Sequence, residues 1–347
     1  MKIFINTPRL SLAGGVANHY RGLKPYWNEK VIYNQIGRRN ENSGSGMYWL
    51  PIDVVKFIIK IIFLNPDIIL LNPSLGINAI KRDFIFLNIA KLFRKKVAIF
   101  FHGFNKETIK DLNIESLKKN LNRCECVFLL AKEFADIVQS WGVTIPIHLT
   151  TTKVDDRLIS NFDIEIKKYD KKNILFLARI EKAKGIYTAL DTIKQLQAKG
   201  LDVVLRVAGM GSELEKAKQY AIDNNIKAEF LGNLSGDSLI KEFIDSNLYI
   251  LPTHSEGMPT SVLEAMAFGL PIITRPVGGI CDFFENRKMG QLIESLDPQE
   301  YANEIEPYIN DAAKNKEVSL YNHIYAKEHF LASAIAKSME DLLRLHI

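Results

Sequence analysis

YILPTHSEGMPTSVLEAMAFGLPIITRPVGGICD, residues 249–282, carries the strand, loop and helix order that decides the fold class of this chain. Leu248 to Leu251 is a short apolar run suited to a buried strand. Pro252 ends it, and Ser255, Gly257 and Pro259 make the next segment a loop. A helix is expected from about Thr260: Thr260 and Ser261 suit an N-terminus, Val262, Leu263 and Met266 supply an apolar stripe, and Gly269 with Pro271 marks the stop. Glu256 therefore falls in the loop and Glu264 in the early helix. A helix N-terminus offers unpaired N–H groups and partial positive charge, which favour a phosphate. Carboxylates beside it suit sugar hydroxyls, because a carboxylate accepts two hydrogen bonds and a vicinal diol donates two.

The same alternation extends to both sides. NILFLAR (173–179), DVVLRVAG (202–209) and AEFLG (228–232) read as strands, with a helix from about Ile186 to Lys199 and another after Gly211. PIIT (271–274) and GQLIE (290–294) continue the sheet, and Asp297 to Ile347 is expected to be mostly helical. Asp155 to Lys172 is polar and lysine-rich, and is expected to be a linker. Before it comes a second series of strands: KIFIN from Lys2, VIYN from Val31, DIILL from Asp67, RKKVAIFFHGF ending beyond His102, CVFLL from Cys126 and IPIHL from Ile145. Gly14 and Gly15 follow the first of these and permit close approach of a ligand, although a lone Gly-Gly lacks the dinucleotide spacing and equally suits a tight turn. Gly37 to Trp49 is expected to be a mobile loop. Ile52 to Leu64 is an apolar run of 13 residues, too short to span a bilayer, that either packs on the sheet or lies on a membrane surface. His102 sits at a strand's C-terminal end, where open parallel sheets hold ligands. The fold class is α/β, with two parallel-sheet domains of Rossmann-like kind. Their expected bounds are 1–158 and 159–325, with 326–347 as a C-terminal helix returning to the first domain.

At 347 residues each domain can bury its own core. Residues 1–160 carry a net charge of +10 and residues 161–347 of −5. A basic half attracts anionic lipid headgroups, lipid diphosphates or nucleic acid, or is simply a solvated lysine-rich face. No aromatic and basic module supports nucleic acid. The N-terminal residues lack a signal-peptide pattern, which leads to an expected cytoplasmic location, at the inner face of the membrane if lipid is touched. Cys124, Cys126 and Cys281 fit a reducing compartment, and the Cys-x-Cys pair lacks a second pair to complete a zinc set, so no metal is expected.

Arg179 and Lys184 follow one strand end in the second half, and Gly209 and Gly211 the neighbouring one. A fork donor, a point charge and aligned N–H groups together suit a diphosphate, and bare glycine backbone lets a nucleotide lie close. With LARIEKAKG, VAGMGSE, FLGNLSGDSL, the stretch quoted first and PVGGI in this order and spacing, residues 173–294 resemble the family 4 glycosyltransferases, retaining enzymes of GT-B architecture. AGGV and FFHG in the first half resemble the family more weakly, and TTTKVD departs from it where the family often has Asn-Gly before Val-Asp.

The resemblance implies two Rossmann-like domains facing a central cleft. It implies that Glu256 contacts the donor sugar and Glu264 the ribose diol. Gly257, Met258, Thr260 and Ser261 would lie around the sugar and diphosphate, and Arg179 and Lys184 would stabilise the leaving diphosphate. Gly14 and Gly15 would approach the phosphates, His102 the donor sugar or reacting hydroxyl, and the base would rest near Gly209, Gly211 and Leu234. The donor is expected to be a UDP-sugar before a GDP-sugar, without metal. The acceptor is expected to be a glycan or lipid-linked glycan of capsule, O-antigen or related polysaccharide assembly. A sugar-nucleotide epimerase of the same architecture and a non-catalytic nucleotide-sugar-binding protein are the alternatives.

Overall fold

Twelve strands form two six-stranded sheets, every pairing parallel, in a computed structural model that describes residues 1–12, 14–40, 45–74, 76–103 and 106–347. Ala13 of AGGV, residues 41–44 of the expected mobile loop and Leu75 lie outside the described residues. The rest of that loop includes a helical turn, Gly46–Trp49. The first unit comprises Met1–Lys153 with Ala332–Ile347, and the second Val154–Leu331.

In the first unit the strands are β1 (Lys2–Pro8), β2 (Lys30–Ile36), β3 (Ile68–Leu71), β4 (Lys96–Phe100), β5 (Cys126–Leu129) and β6 (Ile147–Leu149), in spatial order β2-β1-β3-β4-β5-β6. Alternate residues Phe4, Ile69, Leu71, Val97, Ile99 and Val127 share one sheet face and pack beneath helices α2 (Leu50–Leu64) and α3 (Ile77–Leu92). Phe57 of α2 anchors that layer, edge-on to Phe4 at 5.6 Å and 4.8 Å from Phe86 of α3. Tyr20 and Leu23, on helix α1 (Gly15–Leu23), are also buried.

The last helix, Ala332–Arg344, belongs to this unit. Its buried Glu340 accepts the backbone N–H groups of Asn28 and Glu29, each at 2.7 Å, and Arg344 bridges Glu29 at 2.5 Å. The break before it falls at Leu331 and not at residue 325, because residues 326–329 complete the helix Ala312–His329, and Val154 donates its N–H to Phe330 at 2.7 Å.

The second unit holds β7 (Asn173–Leu177), β8 (Val204–Ala208), β9 (Ala228–Gly232), β10 (Leu248–Leu251), β11 (Ile272–Thr274) and β12 (Gly290–Leu292), in order β12-β11-β10-β7-β8-β9. Each sheet therefore reverses direction once, between β1 and β3 in one and between β7 and β10 in the other. Crevices at such reversals, beyond the carboxyl ends of the strands, are where open α/β sheets bind ligands.

The expected linker is part of the second unit. Its lysines suggested solvent, but Phe162 packs on Phe268 and His323, Tyr169 bonds the Ser319 hydroxyl at 3.1 Å, and Lys167 is buried. The Lys167 ammonium donates to the carbonyls of Phe243 and Ser246 at 3.3 and 2.9 Å. Burial pulls its pKa down from 10.5 to about 7. Between those values the unfolded chain binds more protons than the folded one, so this group makes stability rise with pH, and its burial cost is felt in full below pH 7. From pH 7 to 9.5 the stability of the wild type relative to Lys167→Met is expected to improve by roughly 3 kcal/mol in denaturant titrations. A constant difference would show that the amine keeps its proton throughout.

Candidate active site

Two helices begin at the reversal of the second sheet with no side chain capping either. Ile186–Ala198 follows the loop after β7, and Thr260–Ala267 follows the loop after β10. Neither has an acidic residue in its first turn, so the partial positive charge of both N-termini is left without a neighbouring carboxylate from the helix itself. The two loops are bound together: His254 donates its N–H to Ala183 at 2.9 Å, and the Thr253 hydroxyl donates to the same carbonyl at 3.2 Å. This joins the Lys184 loop to the Glu256 loop.

Lys184 and Glu256, assigned separate tasks from the sequence, are ion-paired at 2.6 Å, with side chains only 15% and 13% exposed. Arg179 is 71% exposed and pairs with Glu181 at 2.9 Å, not with any group of the Glu256 loop. Glu264 is buried in the second turn of its helix, and Thr260 is that helix's first residue.

Tyr249, seen in the sequence only as a strand residue, lies at the centre of this region. Its hydroxyl is 3.0 Å from the Leu177 carbonyl and 2.7 Å from the Ser261 hydroxyl. A carbonyl only accepts, so the phenol gives its proton there and Ser261 completes the chain by donating to the phenol oxygen. Burial drives the phenol pKa far up, with Glu256 and Glu264 adding to the rise, which keeps Tyr249 protonated and places both carboxylates within electrostatic reach of it.

The glycines serve the loops first. A Cβ on Gly209, whose φ is +136°, would lie 1.9 Å from the Ala178 carbonyl oxygen, and one on Gly211 would lie 2.3 Å from that of Ile180. Their bareness is thus required by backbone packing against residues 178–180. Gly278, in PVGGI, presses on the Glu256 loop: a Cβ there would meet the carbonyl oxygens of Glu256 and Gly257 at 2.2 and 2.5 Å, and Gly279 donates to Gly257 at 2.7 Å. Met258 is buried, and Leu234 is partly buried in the loop after β9.

At the reversal of the first sheet, Gly14 and Gly15 are exposed, with nothing within 4 Å of where a side chain would begin. His102 bonds Asn72 Oδ1 through Nε2 at 3.0 Å, and the same oxygen accepts the Tyr20 hydroxyl at 2.5 Å. Because that oxygen only accepts, Nε2 carries the proton. Burial, with His19 beside it, holds His102 neutral well below the usual range, so Nδ1 is the unprotonated nitrogen. Asn72, in the loop after β3, was not singled out in the sequence. Nearby on the chain, Asn6 Nδ2, Thr7 Oγ1, Arg9 Nε and both ring nitrogens of His19 are buried without a hydrogen-bond partner. Buried polar atoms left unpaired mark where a polar ligand or water completes the set.

One set among the described residues has metal-ligand identity: Cys126, His148 and His346, whose donor atoms lie within 4.8 Å of one another. The two Nε2 atoms are 2.8 Å apart, a hydrogen-bond distance. Tetrahedral bonds of about 2.0 Å would hold two ligand atoms about 3.3 Å apart. The contact therefore fits one ring donating to the other, tying residue 346 to β6.

Residues 160–324 match the model of the family described as glycosyl transferases group 1. That stretch, just under half of the chain, is similar to the family. Over 220 residues the chain is 26% identical to the capsular polysaccharide biosynthesis glycosyltransferase CapM of Staphylococcus aureus, covering 61% of this chain and 56% of that protein. It is 22% identical over 233 residues to the putative colanic acid biosynthesis glycosyltransferase WcaL of Salmonella typhimurium, covering 61% and 54%. The matches thus span about half the length of these relatives. The structure of Anabaena HepE in complex with UDP superposes with a TM-score of 0.77 at 16% identity, covering 99% of this chain and all of that one. A sucrose-phosphate synthase from Thermosynechococcus elongatus gives 0.76 at 17% identity over 99% and 98%. The fold is α/β, of the two-domain GT-B type.

Proposed function

We propose that this group 1 glycosyltransferase moves a hexosyl or N-acetylhexosaminyl group from a nucleotide sugar, UDP-linked before GDP-linked, to a glycan or lipid-linked glycan of a surface polysaccharide, with retention of configuration. The carrying observation is the reversal between β7 and β10, where two uncapped helix N-termini, Lys184 and Glu256 meet on joined loops. A diphosphate answers the two helix ends and the ammonium; sugar hydroxyls answer the carboxylates. The relatives named for capsule and colanic acid assembly support the polysaccharide acceptor, and the UDP complex of HepE supports the uridine donor.

In the reaction, the bond from the anomeric carbon to the diphosphate oxygen breaks, and the acceptor oxygen bonds to that carbon on the same face. The acceptor's proton passes to the departing diphosphate. Lys184, Arg179 and the helix ends stabilise the charge that develops there, so no side chain need form a covalent bond. Glu256 orients the donor sugar, Glu264 takes the ribose hydroxyls, and the family resemblance assigns Gly14, Gly15 and His102 to the phosphates and the sugar. No metal is needed when cationic groups already meet the diphosphate.

A panel of sugar nucleotides tests this by thermal shift and product analysis. The right donor at 100 times its Kd is expected to stabilise the protein by about 2.7 kcal/mol, and turnover with acceptor is expected to release free nucleoside diphosphate. A panel without any shift would remove the nucleotide-sugar site. Isomerised nucleotide sugar without released diphosphate would identify an epimerase instead.

A further inference from the structure

The outward side of α2 is apolar, and we infer that it docks the protein on the surface of an anionic lipid bilayer. The helix packs on its own sheet through Asp53, Phe57 and Ile61, with Leu50, Val54 and Leu64 beside them. On the opposite side Ile52, Val55, Ile59, Ile62 and Phe63 are exposed, Phe63 by 81%. At 100° per residue these five fall in one arc centred opposite the buried side. The turn before the helix adds Tyr48, also 81% exposed. A helix on a protein surface ordinarily turns polar residues outward, and one that is apolar all round is ordinarily buried. α2 is apolar on its outer arc as well as on the side it buries, so folding of this unit does not account for its outer stripe. A continuous exposed apolar patch marks an interaction surface.

The charges around the stripe decide its occupant. Lys56 is exposed on its flank, and Lys60 lies on the same flank with its ammonium turned in to Asn34 Oδ1 at 3.0 Å; Lys95 reaches Asn65 just past the helix, and Lys2 donates to the Leu64 carbonyl at 3.2 Å while its backbone N–H meets Asp67 at 2.6 Å. Asp53 is the one acid in α2, and it is turned inward, paired with Arg39 and accepting the Gly37 N–H at 2.8 Å. The outer surface of the helix thus offers apolar side chains flanked by the exposed Lys56 ammonium, with Lys2 and Lys95 at its C-terminal end and no outward carboxylate of its own. That pattern matches acyl chains beneath anionic headgroups. It opposes a second copy of this chain, since a two-fold pairing of α2 on itself would bring lysines against lysines with no acid from either helix to receive them. The helix lies along the surface and does not cross it: no helix among the described residues is long and apolar enough to span a membrane. The inference is independent of the sugar-transfer reading.

Sedimentation of the full chain with vesicles tests it, using phosphatidylcholine alone and phosphatidylcholine with phosphatidylglycerol. The protein is expected to sediment with the anionic vesicles at low salt and to be released as salt rises. The double substitution Ile59→Ser, Phe63→Ser removes exposed apolar groups only, so it is expected to leave the melting temperature unchanged while lowering partition roughly tenfold or more. Lys56→Glu is expected to weaken binding to the anionic vesicles specifically. Three results would overturn the inference: no sedimentation with anionic vesicles, binding that the double variant retains, or a lipid-free dimer in sedimentation velocity that the double variant abolishes.

Discussion

Lys184→Ala is expected to lower transfer by on the order of 10² to 10³-fold, the loss seen when one donor to a developing oxyanion is removed. Glu256→Ala is expected to lower turnover comparably. The two separate by what they leave intact. In the proposed reaction Lys184 meets the diphosphate, so its loss is expected to weaken nucleotide binding along with the rate. In the same proposal Glu256 meets the sugar, so its variant is expected to keep much of its affinity for the free nucleoside diphosphate. Both variants also leave one member of a mostly buried ion pair uncompensated, and each is expected to lose about 1 to 3 kcal/mol of stability. Denaturation curves distinguish this from the catalytic loss, because a fold weakened by that amount is still largely populated at 25 °C. Full activity in Lys184→Ala would remove the lysine from the site, and a sugar trapped covalently on Glu256 would replace the proposed front-face step with a double displacement.

Gly278→Ala is the second large expected effect, and it acts through backbone. The residue sits at φ +55°, and a Cβ would lie 2.2 Å from the Glu256 carbonyl oxygen. Gly236 supplies the comparison, with φ +56° and nothing within 4 Å. Both substitutions put a Cβ on backbone at positive φ, Gly236 with ψ at −136°, but only the first forces two loops apart. Gly278→Ala is expected to cost roughly 2 to 4 kcal/mol and to cut turnover at least tenfold by displacing Glu256, whereas Gly236→Ala is expected to cost about 1 to 3 kcal/mol from backbone strain alone and to keep its rate. Equal losses of rate from the two would show that PVGGI does not set the position of the Glu256 loop.

The strands and helices were legible because each is short, strongly patterned and bounded by Gly, Pro or a polar run. The predicted segments at 2–6, 173–179 and 228–232 coincide with β1, β7 and β9 to within two residues at either end. The polar segment from Asp155 to Lys172 misled because Phe162, Lys167 and Tyr169 are held by partners more than 70 residues away. Local composition cannot register such anchors. Asn72 and Tyr249 were missed for the same reason: an asparagine in a loop and a tyrosine in a strand become site residues only through what distant chain brings to them.

By itself the sequence determined the α/β class, the order of the elements and the chemical types gathered in the second half, since periodicity and turn residues are local properties of the chain. Only the tertiary structure joined Lys184 to Glu256, because 72 residues separate them and the pairing depends on β7 lying beside β10. It alone also decided which side of α2 faces out. The stripe that meets the core and the stripe left bare are nearly equally apolar, and packing against a sheet chooses between them.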